Sequence, residues 1–383
     1  MRPPTTTDGA TGHPTHDKIE MMTKRIKVAV VLGGQSVEHP VSCASGAAVI
    51  ESLSGGDFDV VPVGITEEGR WVTVDLDAAK LAIGDGQLPQ ITAGSGNEVT
   101  VTPNAGLRIT DTAGGTSVMS EVDVVFPVLH GAYGEDGTIQ GMLDMAGIPY
   151  VGSGVLASAV AMDKDFAKRL LRAEGIPVTD YVVVRDGRRL TSQQRDDLGL
   201  PVFVKPARAG SSLGITKVTD WASLDEAIET AGRVDPKVIV ESGLTDVREL
   251  ECGVLASEDG GPPEVTPPLE VLNAGPDGWF DFDTKYFATE SPYDLAPQLP
   301  DGVADDLRRL AARVFEVLDC SDLARVDFFL HSDGKIYVNE INTMPGLTPK
   351  SGVPQAFASV GIDYPTMVAR LVRMAAKRGT GLR

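Results

Sequence analysis

An Asp-Gly pair near the C-terminus constrains the fold of this chain more than any other feature. The runs ARVDFFL and KIYVNEIN lie on either side of Asp333-Gly334, and Asp-Gly between such runs is a strong signal for a β-hairpin with a two-residue turn. If these two residues form the turn, Ser332 pairs with Lys335 and every other pair along the hairpin is fixed. The sequence therefore predicts both the hairpin and its register.

Four polar side chains share one face of this predicted hairpin. Counting back from the turn places Asp327 opposite Glu340 and Arg325 opposite Asn342, and cross-strand partners point to the same side of a sheet. Two carboxylates ~5 Å apart repel each other by roughly 3 kcal/mol at an effective dielectric constant of ~20. The other face carries residues that a core could bury: Phe328, Leu330, Tyr337 and Ile341.

Two interpretations of the polar face are open. It could be a solvated salt-bridge surface, in which Arg325 supplies part of the compensating charge. It could instead bind a hard divalent cation, because magnesium prefers oxygens such as those of Asp327, Glu340 and Asn342. We favour a magnesium site at the end of the hairpin, and a one-residue change in the turn would destroy it.

The N-terminal part of the chain repeats a strand, a glycine-rich loop and a helix. IKVAVVLGG precedes SVEHPVSCASGAAVIESL, in which Pro40 suits the first turn of a helix, and VDVVFPVLHGAYGEDGTIQGMLDMAG shows the same order. This alternation predicts an α/β domain over residues 24–151, with ligands at the carboxyl ends of its strands. We expect residues 71–120 to be a peripheral insertion. Residues 1–23 are rich in Pro, Thr and Gly, which predicts a disordered tail rather than a secretory signal.

The pattern changes after residue 152 to an α+β arrangement. The helical stretch LASAVAMDKDFAKRLLRAEG ends at Gly175, strands are predicted in LPVFVKPARAGSSLGITKV, KVIVES and RELECGVLA, and SLDEAIETAG predicts a helix. A turn-rich segment over residues 273–297 precedes the helix ADDLRRLAARVFEVLDC, and a loop of that length is usually functional or disordered. We predict a central domain over 152–241 and a C-terminal domain over 242–383.

Charge and cysteine content argue against several classes of partner and site. The chain has 54 Asp and Glu against 34 Lys and Arg, a net charge of −20, which argues against nucleic acid and anionic membranes as partners. No apolar run approaches the roughly 18–20 residues that span a bilayer. Cys43, Cys252 and Cys320 are far apart without a CxxC pair, so neither a disulfide framework nor a zinc site is indicated and a reducing cytoplasm fits.

A glycine- and serine-rich loop follows Lys205. In VKPARAGSSLG the loop offers backbone N–H groups and the hydroxyls of Ser211 and Ser212, and glycine lets the backbone approach a phosphate closely. The chain has neither GxxxxGK[ST] nor GxGxxG between a strand and a helix. Phosphate binding here is therefore not of the Walker or dinucleotide kind, and an ordinary hairpin connection is the alternative.

Polar residues also follow the predicted strands of the N-terminal domain. Glu38 either caps a helix or holds an ammonium group, and His130 is either a ligand or a buried, hydrogen-bonded histidine. Glu135 and Asp136 stand at a predicted helix start, where acids favour the positive end of the helix dipole. The residues alone leave these alternatives open.

Seven motifs, taken in order, resemble the signature of D-alanine–D-alanine ligases of the ATP-grasp superfamily. They are LGGQSVEHPVS, HGAYGEDGTIQGMLDMAGIPYVGSG, AMDK, VFVKPARAGSSLGI, DFDTKY, ARVDFF and NEINTMPGLTP. The likeness extends from about Lys24 to Leu371, with the tail and the 71–120 region outside it. It implies a two-domain ATP-grasp fold after the N-terminal α/β domain, with ATP between two antiparallel sheets.

The resemblance also implies roles for individual residues. Those in contact with the nucleotide would be Lys164, Lys205, Ser212, Glu241, Glu249 and Lys285, with Glu241 by the adenine and Glu249 at the ribose. The stretch between these two acids is one residue longer than in some relatives. Two magnesium ions, for which manganese can substitute, would bind Asp327, Glu340 and Asn342.

For the substrates, the resemblance places Glu38 at the ammonium of the first D-alanine, with His130 nearby. Arg325 and the backbone N–H of Gly346 would face the reacting carbonyl, and Ser351 would bind the carboxylate of the second substrate. The link that closes the long loop would be formed by Ser211, Tyr286 and Glu38.

The implied reaction is ATP-dependent ligation of two D-alanines through an acyl phosphate, for peptidoglycan precursor synthesis in the cytoplasm. We expect small-molecule partners only, without nucleic acid or membrane, and a homodimer. One alternative is a ligase of the same superfamily that uses D-lactate or D-serine as second substrate. Another is a nucleotide-binding regulatory module, against which the joint presence of Arg325, Asp327, Glu340 and Asn342 argues.

Overall fold

Three β-sheets with packed helices make up the part of the chain that is described. The computed structural model of the protein describes residues 25–74, 89–102, 106–110, 116–117, 122–185, 188–272 and 292–381. The predicted tail over residues 1–23, and Lys285 and Tyr286 in the turn-rich segment, lie outside these residues.

A seven-stranded sheet lies in the N-terminal part of the chain. Its strands are β1 (Ile26–Gly33), β2 (Phe58–Ile65), β3 (Trp71–Thr73), β4 (Glu98–Thr102), β5 (Gly106–Thr110), β6 (Thr116–Ser117) and β7 (Val124–Pro127). They lie in the order β6-β5-β4-β3-β2-β1-β7, and β1 is parallel to β2 and β7. Helices α1 (His39–Leu53) and α2 (Thr138–Ala146) follow β1 and β7, which confirms both predicted strand–loop–helix units.

The described residues between positions 71 and 120 contribute four strands to this sheet. Strands β3 to β6 extend it by antiparallel pairing. Ile91 packs in the same core as Val30 and Leu32, and its backbone N–H donates to Nε2 of His39 at 2.9 Å. Strands β3 to β6 thus form one edge of the sheet, and the expectation of a peripheral insertion remains a prediction. The strands are short and rich in Thr, so their periodicity is weak.

The helical stretch after residue 152 forms two helices. Helix α3 (Val155–Met162) and helix α4 (Lys164–Ala173) are separated at Asp163. The Asp163 side chain accepts hydrogen bonds from the backbone N–H groups of Asp165 and Phe166, which caps α4 and fixes where it begins.

A four-stranded antiparallel sheet follows. Its strands are β8 (Tyr181–Val184), β9 (Val202–Pro206), β10 (Thr216–Val218) and β11 (Val238–Ser242), in the order β10-β9-β11-β8. Two helices accompany it, α5 (Ser192–Leu198) and α6 (Leu224–Gly232). The apolar face of α6 packs on β9 and β11.

A six-stranded sheet completes the fold. Its strands are β12 (Val247–Leu255), β13 (Glu264–Val265), β14 (Leu269–Val271), β15 (Tyr293–Asp294), β16 (Leu323–His331) and β17 (Ile336–Asn342). The order is β15-β14-β12-β16-β17, with β13 paired to β12. Three helices belong to this part of the chain, α7 (Val303–Val317), α8 (Gly352–Ser359) and α9 (Tyr364–Arg378).

Packing crosses the predicted domain boundaries. Ala161 and Leu171 of α3 and α4 share a core with the six-stranded sheet rather than with the four-stranded one. Met367 and Leu371 of α9 pack into the core of the N-terminal sheet. Along the chain, residue 152 lies between the strands of the first and second sheets, and residue 242 is the last strand residue of the second sheet. The domain boundaries at these positions remain a prediction.

The β16–β17 hairpin has the predicted pairs at its open end. Asp327 lies opposite Glu340 and Arg325 opposite Asn342. The predicted two-residue turn is wrong, because the backbone N–H of Gly334 donates to the carbonyl three residues earlier at 2.9 Å. Three residues form the loop, with Gly334 at a φ of +87°.

A β-bulge compensates for the longer turn. Near the loop Leu330 pairs with Ile336 and Phe328 with Val338, one residue away from the predicted register, and the register shifts between Asp327 and Phe328. Val338 is therefore the buried residue, where Tyr337 was expected. The extra residue of the bulge restores the pairs at the open end, so the changed turn does not destroy the polar face.

Candidate active site

A cavity of about 690 Å³ lies between the four-stranded and six-stranded sheets. Strands β9 and β11 line one side and β12, β16 and β17 the other, with the serine-rich loop above. Predicted site residues that line it are Lys164, Lys205, Ser211, Ser212, Glu241, Glu249, Arg325, Asp327 and Glu340. Residues predicted from separate motifs thus come together around one space.

Glu241 is buried between two lysines. Its carboxylate forms ion pairs with Lys168 and Lys205 and accepts a hydrogen bond from the Thr179 hydroxyl. Burial alone would raise the pKa of Glu241, but the charges of Lys168 and Lys205 outweigh burial and hold that pKa well below its usual range. We call Lys168, Lys205 and Glu241 the lysine cluster. It carries an excess positive charge, while the predicted position of Glu241 beside an adenine remains a prediction.

Lys164 connects the serine-rich loop to the acidic residues of the opposite wall. Its Nζ donates to the carbonyl of Ala209 at 2.8 Å and lies 3.2 Å from Oε2 of Glu340. The start of α4, which carries Lys164, is held by the buried Lys237, whose Nζ lies 2.6 Å from Asp163 and 2.7 Å from Asp165. The amine is therefore fixed before any ligand binds.

Three carboxylates gather around Arg325 on the six-stranded sheet. The Nε and Nη2 atoms of Arg325 donate to the two oxygens of Asp327, each at 2.6 Å. Glu251 lies directly opposite Asp327 on β12, with its Oε2 3.4 Å from Nε of Arg325. We call Glu251, Asp327 and Glu340 the acidic cluster.

Burial and mutual repulsion shift the ionisation of the acidic cluster. Burial raises the pKa of Asp327 to about 7 against the opposing charge of Arg325, and the charges of Glu251 and Glu340 add to the rise. Burial would also raise the pKa of Glu340, but Lys164 and Arg325 lower it to about 2. The raised pKa of Asp327 indicates that Arg325 does not fully compensate for burial and for the two neighbouring acids.

Two residues of the acidic cluster, Asp327 and Glu340, together with Asn342 offer oxygen ligands that suit a magnesium ion in contact with phosphate. The amide of Asn342 lies beside Asp327, with Nδ2 3.1 Å from Oδ2, and Glu340 lies opposite Asp327 on the neighbouring strand. Within the described ranges, no three His, Cys, Asp or Glu side chains are grouped as a complete metal site. Magnesium usually takes only one or two carboxylates together with substrate phosphates and water, so two acids and an amide are a suitable set.

Glu38 reaches the serine-rich loop from the N-terminal domain. The hydroxyl of Ser211 donates to Oε1 of Glu38, and the Glu38 side chain makes no capping hydrogen bond to α1. A Cβ at Gly210 would lie 3.1 Å from Oε2 of Glu38. Because glycine has no side chain, the loop can lie close to Glu38. The Glu38 side chain therefore does not cap α1, and its predicted contact with an ammonium group remains a prediction.

Glu135 joins the N-terminal domain to the end of the hairpin. Its carboxylate accepts hydrogen bonds from the backbone N–H groups of Gly131 at 2.7 Å and Met344 at 3.2 Å. Burial, followed by the charge of Glu38, raises the pKa of Glu135 to about 8. Asp136, in contrast, accepts from the first N–H of α2 at 3.0 Å, as expected for an acid at a helix start.

His130 is buried, and both ring nitrogens have protein partners. Nδ1 lies 2.9 Å from the carbonyl of Met344 and Nε2 3.1 Å from Oγ of Ser45. Because Ser45 also accepts from the backbone N–H of Leu347 at 3.3 Å, His130 helps to hold the segment that contains Gly346. A direct contact of His130 with a substrate remains a prediction.

Ser351 lies beside Gly346. A Cβ at Gly346 would be 3.1 Å from Oγ of Ser351. That hydroxyl accepts from the backbone N–H of Thr348 at 3.1 Å and lies 2.9 Å from the Thr348 hydroxyl. The two predicted substrate residues are therefore neighbours at the edge of the hairpin end.

Sequence reasoning missed several residues of the site. Glu251 alternates with Glu249 in RELEC, and residues two apart on a strand share a face, so this signal was available. Lys168 stands four residues after Lys164, one helical turn away. Nothing in the local sequence distinguishes Thr179.

Comparison with known proteins agrees with this geometry. Residues 27–153 match the family model for the D-ala D-ala ligase N-terminus and residues 170–373 that for the D-ala D-ala ligase C-terminus. The first match includes the 71–120 region that was expected to lie outside the resemblance. A D-alanine–D-alanine ligase of Mycobacterium sp. (strain KMS) is 53% identical over 370 residues, covering 94% of this chain and 99% of that protein. One of Nocardia farcinica (strain IFM 10152) is 51% identical over 366 residues, covering 94% and 100%.

Solved structures show the same similarity. The D-alanine-D-alanine ligase from Coxiella burnetii superposes with a TM-score of 0.78 at 30% identity, covering 93% of this chain and 95% of that one. The VanG D-Ala:D-Ser ligase from Enterococcus faecalis gives 0.78 at 34% identity, covering 92% and 99%. The two facing sheets and the cavity between them are those of an ATP-grasp enzyme. Within that class, the chain belongs to the D-alanine–D-alanine ligase family.

Proposed function

We propose that this enzyme ligates two D-alanine molecules to D-alanyl-D-alanine, converting ATP to ADP and phosphate through an acyl phosphate. The observation that carries the proposal is one cavity lined by Lys205 and Glu241 on one side and by the acidic cluster on the other, with Glu38 bound to Ser211 of its lining. Curated relatives at 53% identity carry the name D-alanine–D-alanine ligase, which supports the choice of substrate.

The nucleotide phosphates would lie between Lys164 and Lys205. Both amines line the cavity, and the excess positive charge of the lysine cluster attracts an anion. Ser212, Glu249 and Lys285 complete the proposed nucleotide contacts, and Glu249 lines the same cavity. Magnesium, or manganese in its place, would be held by Asp327, Glu340 and Asn342, where it neutralises charge on the transferring phosphoryl group.

The first D-alanine would bind with its ammonium at Glu38. Its carboxylate oxygen attacks the γ-phosphorus of ATP, ADP leaves, and an acyl phosphate forms. Lys164 and Lys205 offset the negative charge that builds up on the transferring group. The contact of Ser211 with Glu38 keeps the serine-rich loop over this position, which excludes water that would hydrolyse the acyl phosphate.

The second D-alanine would be held by its carboxylate at Ser351. Its neutral amine attacks the acyl carbon, a C–N bond forms, and phosphate leaves. Arg325 and the N–H of Gly346 stabilise the oxyanion of the tetrahedral intermediate, and one such donor is worth about 3–4 kcal/mol. Glu135 and His130 keep the Gly346 segment in place through Met344.

A substrate panel tests the proposal. ADP release from ATP is measured with D-alanine alone and with D-alanine mixed with D-serine or D-lactate, and the products are separated by chromatography at pH 6 and pH 8. We expect the D-alanyl-D-alanine dipeptide as the main product at both pH values, in part because the sequence retains Tyr286, which the resemblance places in the closing link. The structural neighbour that is a D-Ala:D-Ser ligase makes D-serine the sharpest competitor. A main product containing D-serine or D-lactate would overturn the proposal.

Assembly and location form a second part of the proposal. None of the helices in the described ranges is long and apolar enough to cross a membrane. We propose a cytoplasmic homodimer that supplies the dipeptide for peptidoglycan precursors. Light scattering during size-exclusion chromatography tests the dimer, and a single-chain mass would contradict it.

A further inference from the structure

Two interactions compete for the guanidinium of Arg325. It donates to both oxygens of Asp327 at 2.6 Å, while the proposed function places a divalent cation on the same carboxylate and the guanidinium at the reacting carbonyl. A cation bound to Asp327 draws on the same lone pairs and repels the guanidinium. Arg325 therefore needs a second anion to stay in the site once the cation binds.

Glu251 is placed to be that anion. It lies directly across from Asp327 on the neighbouring strand, it is buried, and its Oε2 is 3.4 Å from Nε of Arg325. In the described part of the chain this oxygen accepts no hydrogen bond. A buried carboxylate oxygen without a hydrogen bond is costly, and a small shift of Arg325 away from Asp327 would supply the missing donor.

We propose that Glu251 is a positioning residue that takes over Arg325 when a divalent cation occupies Asp327. The inference rests on the proposed function, because it assumes that Asp327 binds the cation and that Arg325 acts on the carbonyl. Glu251 thereby lowers the competition between guanidinium and cation for Asp327. It contacts neither the substrate nor the metal and acts through Arg325.

The proposal predicts what happens when the charge of Glu251 is removed. With a neutral residue at position 251, Asp327 is the one remaining close carboxylate partner of Arg325 among the described residues, so the guanidinium competes fully with the cation. We expect Glu251→Gln to weaken cation binding and to lower kcat, each by roughly 10–100-fold, the range found for groups that support a metal site. The KM for ATP should change much less.

The experiment measures Mn²⁺ binding by electron paramagnetic resonance in the presence of a non-hydrolysable ATP analogue and without D-alanine. The control is Glu270→Gln. Glu270 lies in the same sheet as Glu251 and accepts two hydrogen bonds from Arg248, at 2.8 and 2.6 Å, but neither residue lines the cavity. That variant should bind Mn²⁺ and turn over like the wild type. If Glu251→Gln binds Mn²⁺ as tightly as the wild type, the proposal is wrong.

A double-mutant cycle separates positioning from a simple charge effect. In an Arg325→Gln background no guanidinium competes, so adding Glu251→Gln should change the Mn²⁺ dissociation constant by no more than about twofold, as for independent sites. A full effect in that background would mean that Glu251 acts on the cation directly, and would overturn the proposal.

If Arg325→Gln does not fold, Glu251→Asp provides a second test of the proposal. This variant retains the charge but draws the oxygens back from Arg325, so it should lose kcat and Mn²⁺ affinity in the same direction as Glu251→Gln. Wild-type behaviour of Glu251→Asp would contradict positioning. Since the Mn²⁺ titration needs no D-alanine, absence of D-alanine-dependent ADP release in the wild type would refute the proposed function without deciding the role of Glu251.

Discussion

Lys205 and Glu241 of the lysine cluster line the same cavity as the acidic cluster, and the two clusters carry opposite excess formal charge. In the lysine cluster the Glu241 carboxylate has two lysines and a hydroxyl around it, so every group is paired. In the acidic cluster, Glu251 and Asp327 share Arg325, and burial raises the pKa of Asp327 to about 7. The difference indicates that one end of the cavity is complete before ligand binds, whereas the other end would be completed by the proposed cation.

The strongest test of this comparison removes the carboxylate of the lysine cluster. Glu241→Gln leaves Lys168 and Lys205 without their shared anion, and breaking a buried ion pair in this way costs about 3–5 kcal/mol. We expect the free energy of unfolding, measured with urea at pH 7, to fall by that amount. Glu229→Gln, on the exposed face of α6, is the control and should change nothing. A Glu241→Gln protein as stable as the wild type would show that the cluster is not preformed.

The same pair of proteins predicts a pH dependence. The folded pKa of Glu241 lies below its ordinary value of 4.5, so its stabilising contribution is present above that pH and is lost as the pH falls below it. The difference in unfolding free energy between wild type and Glu241→Gln should therefore be constant from pH 8 to pH 6 and shrink below about pH 4.5. A difference that grows on acidification would contradict the sign.

At the acidic cluster we expect a loss of turnover rather than of stability. Glu340→Gln removes a proposed metal ligand while keeping the side-chain shape, and it should lower magnesium-dependent turnover by roughly 100-fold, the upper end of the range for groups that merely support a metal. Asp333→Asn is the matched control, because Asp333 is an exposed acid on the same hairpin. Turnover and magnesium dependence like those of the wild type in Glu340→Gln would refute the metal assignment.

A smaller effect is expected where the serine-rich loop meets the N-terminal domain. Ser211→Ala removes the donor to Glu38, and loss of a hydrogen bond to a charged group should lower kcat/KM for D-alanine roughly tenfold. The KM for ATP should stay unchanged. Ser359→Ala, whose hydroxyl donates to a helix carbonyl at 2.7 Å, provides the control. An equal loss for ATP and D-alanine would mean that the contact closes the whole cavity rather than the substrate position.

The pairs that form the acidic cluster could be predicted from sequence, while the contacts that surround them could not. Alternation in ARVDF and NEIN assigns Asp327 and Glu340 to one face, because side chains on a strand have a period of two. The contacts of His130 with Met344 and of Ser211 with Glu38 join residues more than 170 positions apart. Such contacts depend on how the domains pack, which local patterns do not encode.

The hairpin turn is instructive because a local signal was present and was outweighed. Asp-Gly suits a two-residue turn, but Gly also suits the last position of a three-residue loop, where φ is positive. The buried positions Val338 and Ile341 are three apart instead of two, and a break of this kind in the alternation is the sequence sign of a bulge. The loop is one residue longer than predicted, which shifts the pairing by one residue. The bulge shifts it back, so the predicted pairs form at the acidic cluster.

That cancellation gives the last and smallest prediction, which separates the turn from the cluster. A Cβ at Gly334 has no atom within 4 Å, so Gly334→Ala meets no steric obstacle and the cost comes from its φ of +87° alone. A left-handed conformation costs a residue with a Cβ roughly 1–2 kcal/mol, and the urea unfolding curve should show a loss at the lower end of that range. Gly232→Ala adds the same methyl group in α6, also without an atom within 4 Å, and should not destabilise. Since the bulge lies between the turn and Asp327, magnesium-dependent turnover of Gly334→Ala should equal that of the wild type. A loss of turnover beyond about twofold, the limit for independent sites, would show that strain in the loop reaches the acidic cluster and that the bulge does not insulate it.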